Sequence, residues 1–108
     1  MANNCGVIGF ATGTGVKEFN IGMTPTWATV EFRGSGIKPS KGYMYGGDQY
    51  CFPDDTTSPA VNKAILVKDT SGTTLVEGTW TSFPSGKIRF TLTTNSLTNP
   101  QALITFGN

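Results

Sequence analysis

The chain has 108 residues, a mass of 11.5 kDa and a formal net charge of +1, which predicts one domain spanning 1–108 with no electrostatic footprint for nucleic acid or an anionic membrane. It contains no histidine, which removes Ser-His-Asp triads, histidine acid–base chemistry and most zinc sites. Charged residues make up only 14% and there are 17 threonines and 14 glycines, so the expected surface is neutral and rich in hydroxyls.

Taken in order, short β-rich runs alternate with Gly, Pro, Asn, Asp and Ser punctuation, and no window carries a helical apolar period. The opening Met1-Ala2-Asn3-Asn4-Cys5 lacks the basic and apolar regions of a secretory leader, so ordinary export is not expected. The first strand is expected at Cys5-Gly6-Val7-Ile8-Gly9-Phe10, with Cys5 a small core residue. Cys5 and Cys51 have no CxxC spacing and read as two reduced thiols, a Cys5–Cys51 bridge being the alternative. After a turn at Thr12-Gly13-Thr14-Gly15, a second run at 16–21 places Phe19 and Ile21 on one face. A corner around Pro25 leads to the clearest early strand, 27–33. There Ala28, Val30 and Phe32 point one way and Trp27, Thr29, Glu31 and Arg33 the other.

Residues 34–60 read as a long irregular excursion with one or two short strands, broken by Gly34-Ser35-Gly36, Pro39-Ser40-Lys41-Gly42, Gly46-Gly47-Asp48 and Pro53-Asp54-Asp55. Regularity returns at 62–69, where Ala64-Ile65-Leu66-Val67 fits a strand covered on both faces and is far too short to span a bilayer. A turn at Asp69-Thr70-Ser71-Gly72 makes a hairpin with 73–80, and Trp80 is expected to plug the core. The strands 87–93 and 101–106 follow, with Ile88, Phe90 and Leu92, then Ala102, Ile104 and Phe106, facing inward. The fold class is therefore all-β, an antiparallel β-sandwich of about seven to nine short strands. Its expected inner set is Val7, Phe19, Ile21, Ala28, Val30, Phe32, Ile65, Val67, Val76, Ile88, Phe90, Leu92, Ile104 and Phe106.

No nucleophile elbow, H-E-x-x-H or P-loop occurs, and Gly13-Thr14-Gly15 lacks the third glycine and the helix of a dinucleotide fingerprint. The acidic pool is Glu18, Glu31, Asp48, Asp54, Asp55 and Glu77; Asp54 and Asp55 read as turn formers. Asp48, Asp54 and Asp55 do not make a calcium-loop pattern, so neither a metal nor a cofactor is expected, and no enzymatic activity. The best contact candidates are Tyr43, Tyr45 and Tyr50 around Gly46-Gly47, with Asp48 and Gln49 beside them, because tyrosine offers rigid contact area with a polar tip. Two roles fit them: packing against a neighbouring subunit, or a platform for a sugar. Trp27, on the polar side of its strand, joins them as a candidate interface residue.

Three segments, taken together, carry a resemblance. They are Thr14-Gly15-Val16-Lys17-Glu18-Phe19-Asn20-Ile21-Gly22-Met23-Thr24-Pro25, the turn and strand at 83–92, and the closing Ala102-Leu103-Ile104-Thr105-Phe106-Gly107. In that order they resemble small β-sandwich modules of tailed-phage structural proteins, and are more distantly similar to the H-type lectin sandwich. Residues 34–60 fall outside the resemblance, and no sugar site is carried over from it. The resemblance implies a virion component, a capsid decoration or part of a tail fibre, assembled in the host cytoplasm. It implies a homo-oligomer in contact with other virion proteins, while the low net charge and the short apolar runs are what argue against nucleic acid and membrane insertion. The alternative is a lectin-like module binding a cell-surface glycan.

Overall fold

The computed structural model describes residues 3–54 and 58–108. Its strands are β1 (Asn3–Gly9), β2 (Gly15–Asn20), β3 (Trp27–Phe32), β4 (Ser40–Tyr45), β5 (Asp48–Pro53), β6 (Ala60–Val61), β7 (Ile65–Lys68), β8 (Thr74–Ser82), β9 (Lys87–Asn95) and β10 (Gln101–Gly107). They form two antiparallel sheets, ordered β1-β10-β3-β4-β5-β6 and β2-β9-β8-β7, that pack as a β-sandwich around one core. The chain changes sheet between β1 and β2, β2 and β3, β6 and β7, and β9 and β10. The strand beyond the expected seven to nine is the two-residue β6, too short to leave a period-2 signal.

Period-2 alternation sets the faces. Ala28, Val30 and Phe32 of β3, Ile88, Phe90 and Leu92 of β9, and Ala102, Ile104 and Phe106 of β10 are all buried between the sheets. Ile65, Val67 and Val76 join them, while Phe19 and Ile21 pack against the core half-buried. Each fully buried Val, Leu, Ile or Phe side chain among them contributes about 1.5–3 kcal/mol. At the core's centre the Phe10 ring lies 5.1 Å from Phe19, 5.6 Å from Phe32 and 5.5 Å from Phe90.

The first strand corrects two expectations. Val7 is 69% exposed and Cys5 is exposed as well, both on the outer face. Apolar residues occupy both parities of this strand, so alternation alone could not choose a face. Phe10, fully buried, decides it and turns Ile8 inward with it. Cys51 is buried, and both cysteines are free, so no bridge joins them.

Residues 34–60 hold more order than their punctuation suggests. β4 and β5 pair without a slip from Ser40↔Pro53 to Tyr45↔Asp48. Gly46 at φ 56° and Gly47 at φ 85° close the hairpin, and two positive φ values match the turn that best fits the twist of paired strands. Gly42, inside β4, is a close-approach residue rather than a breaker. A Cβ there would fall on the carbonyl oxygen of Ala64 and 3.1 Å from Val30 Cγ1.

That contact also explains the apolar run at 64–67. β7 is an edge strand with Ile65 and Val67 buried and Leu66 only half-buried, so it is not covered on both faces. Ala64 is buried just before the strand, against β4. The β7–β8 hairpin forms as expected, with Gly72 at φ 92°. Asp69 Oδ1 accepts from the Ser71 hydroxyl at 2.7 Å and from the Ser71 and Thr73 N–H groups at 2.9 Å. The Ser71 hydroxyl, and then those backbone donors, hold the Asp69 carboxyl below the usual range. Trp80 is half-buried against the core with its ring 4.6 Å from Phe83, while its buried Nε1 finds no partner among the described residues.

Candidate functional site

The strand registers gather the predicted contact residues on one surface. On the outer face of the six-stranded sheet, cross-strand pairing lays side chains in rows. One row runs Trp27–Tyr45–Asp48. The next runs Thr29–Tyr43–Tyr50–Val61, and the third Glu31–Lys41–Phe52. Directly opposed residues on one face are close enough to pack together. Five aromatic side chains therefore converge around the β4–β5 hairpin.

Their geometry is ordered. The Tyr43 and Tyr50 rings stack at 5.3 Å with an interplanar angle of 20°. Phe52 meets both edge-on, at 6.0 Å from Tyr43 and 5.8 Å from Tyr50. Lys41 Nζ lies 5.6 Å from the Tyr43 ring centre, within cation–π range. Each of these three rings limits its neighbours' rotamers, so that part of the patch is preorganised and loses less entropy on being covered. Trp27, Tyr43, Tyr50 and Phe52 are half-buried, and Tyr45 beside the turn is 50% exposed.

Gln49 stands apart from this group. It points between the sheets, where its Nε2 donates to the Trp80 carbonyl at 2.8 Å and its Oε1 accepts from the Trp80 N–H at 2.7 Å. That pair ties β5 to β8 and leaves the side-chain amide engaged within the fold. Phe52 and Lys41, which belong to the face, were not among the expected contact residues. Their alternation with Tyr43 and Tyr50 becomes visible only once β4 and β5 are seen as a regular hairpin.

Beside the patch, Tyr45, Asp48, Gln49, Tyr50, Pro59, Val61 and Asn62 line an open groove of about 400 Å³, so Gln49 borders it although its amide is held by Trp80. The Asp48 carboxylate there has no ionic or hydrogen-bonding partner among the described residues. The other described acids are engaged elsewhere. Glu18 accepts from Arg89 and Lys87, which hold its carboxyl below the usual range. Glu31 pairs with Arg33, Asp54 with Lys38 at 3.2 Å, and Glu77 with Lys63. Asp55 lies outside the described residues. Among the described residues no three His, Cys, Asp or Glu side chains converge on a metal position. Burial pushes the Cys51 thiol up to about 11, so at neutral pH it is protonated and no nucleophile.

Compared with known proteins, the chain matches no family model, no curated protein and no solved structure.

Proposed function

We infer that this chain is a non-enzymatic association module that works through the aromatic outer face of its six-stranded sheet. The observation that carries the reading is the outer-face set of Trp27, Tyr43, Tyr45, Tyr50 and Phe52, within which the Tyr43, Tyr50 and Phe52 rings pack against one another. Preordered aromatic residues on a sheet face are what protein interfaces concentrate. Thr29, Glu31 and Lys41 supply a polar margin beside them. On the resemblance of its three segments, the setting is a tailed-phage virion, with the module in a capsid decoration or tail fibre and meeting further copies and other virion proteins.

The groove at Tyr45, Asp48 and Asn62 favours a second reading, a lectin-like module. An aromatic ring beside an unpaired carboxylate and an amide is the chemistry that recognises a saccharide, apolar on one ring face and hydroxylated at the edge.

Tryptophan emission separates the two. Trp27 sits on the proposed contact face, so dilution over a hundredfold range should red-shift the emission as an oligomer dissociates. Tyr45→Ala with Tyr50→Ala should abolish that dependence. Added monosaccharides at millimolar concentration should leave the emission unchanged. A saccharide-dependent shift lost in Asp48→Ala would instead establish the lectin-like reading, and emission indifferent to both dilution and sugar would refute association through this face.

A further inference from the structure

A sandwich has open sheet edges, and an unprotected edge strand is a template for another strand. Three of the four edges here are defended. β2 carries Lys17 and Glu18. β6 is two residues long, between Pro59 and Lys63. β7 is partly capped by the β3–β4 connection, through the Ile37↔Asp69 bridge and the Lys38 N–H donating to the Lys68 carbonyl at 2.8 Å. β1 has none of these devices. Its seven residues, Asn3–Gly9, include no charge and no proline, and among the described residues it pairs only with β10.

Its hydrogen-bonding side can be assigned. The Phe10 N–H donates to the Pro100 carbonyl at 2.9 Å, one step beyond the Gly9↔Gln101 pair. In an antiparallel ladder bonded pairs alternate, so Asn4, Gly6 and Ile8 direct their backbone groups to β10. Asn3, Cys5, Val7 and Gly9 then direct theirs away from the sheet. Val7, with Leu103 opposite it on β10, adds exposed apolar surface along that edge, 69% and 43% exposed.

We propose that β1 pairs antiparallel with β1 of a second copy of this chain, joining two six-stranded sheets into one. The strand is its own complement. Centred on Gly6 facing Gly6 of the other copy, the pairing overlaps all seven residues without overhang. It sets Cys5 opposite Val7 of the copy and Asn3 opposite Gly9, so that every outward N–H and C=O is matched. The glycines at the two-fold axis meet at the closer, non-bonded spacing, where a side chain would crowd and where a Cβ on Gly6 meets nothing within its own chain. The neutrality of the strand favours a second copy over a charged partner, since an identical strand adds no like-charge repulsion.

The test is sedimentation of the full chain with three variants. Val7→Lys sets two charges at the junction. Val7→Pro deletes an outward N–H while sparing the ladder to β10, a position where proline is tolerated. Both alter an exposed residue, and circular dichroism confirms that each folds. The third variant combines Tyr45→Ala with Tyr50→Ala. The wild type should form a dimer that either Val7 variant weakens by about tenfold or more, and that the tyrosine variant retains. A short bis-maleimide should link wild-type dimers through Cys5, which the pairing places diagonally at about 7–8 Å from Cys5 of the copy, and should not link Cys5→Ser. A monomer at every concentration overturns the proposal. So does a dimer insensitive to both Val7 variants; if the tyrosine variant abolishes that dimer, the aromatic-face reading stands while the edge pairing falls.

Discussion

Gly42 shows how a single missing side chain places the contact face. The β4 backbone approaches Ala64 so closely that a Cβ would occupy the space of its carbonyl oxygen. Backbone has no rotamer with which to give way. Gly42→Ala should therefore destabilise the protein by about 3 kcal/mol, at the upper end of overpacking costs, measured as a lowered midpoint in urea at unchanged slope. The two thiols make a second test at this scale. Cys5 is exposed and Cys51 buried, so a thiol reagent at pH 8 should titrate one sulfur in the native protein and two in denaturant. The Cys51 thiol ionises near its ordinary value when unfolded but only at about 11 when folded. The folded state thus holds the proton over that interval, and stability should fall as pH rises from the ordinary thiol range towards 11. A Cys51→Ala variant should lose that dependence, as read by urea melts at stepped alkaline pH.

At the scale of the element, legibility followed how cleanly a strand separates its two faces. β3, β9 and β10 alternate large apolar with polar residues, and their inward sets were readable from the sequence alone. β1 carries apolar residues at both parities, so its facing depended on Phe10, a residue just past its end. β4 and β5 were obscured because Gly42, Gly46 and Gly47 look alike as letters, yet one serves a tight contact and two serve a turn. The tyrosines and Trp27 could be named from their chemistry, but their convergence on one face follows from a register no local pattern declares. Gln49 was legible as polar and not as the link between sheets. Its two hydrogen bonds to the Trp80 backbone span the sandwich, and losing them leaves a part-buried N–H and C=O unmatched. Gln49→Ala should therefore cost about 2 kcal/mol, with faster amide exchange at Trp80. An unchanged Trp80 exchange rate would mean that other contacts hold β5 to β8.

For the whole molecule, the two sheets do different work. The four-stranded sheet covers the core and carries the Glu18 ion pairs on its edge strand. The six-stranded sheet covers the same core with one face and presents an aromatic patch on the other. We propose this patch as a contact surface between proteins. Light scattering of the full chain across a hundredfold concentration range is the direct check, with the wild-type face run beside Tyr45→Ala with Tyr50→Ala, each in a Val7→Lys background that weakens β1 pairing equally in both. With the tyrosines present the mass should rise above 11.5 kDa with concentration, and it should rise markedly less once the two tyrosines are removed. Equal masses for the two proteins at every concentration would contradict it.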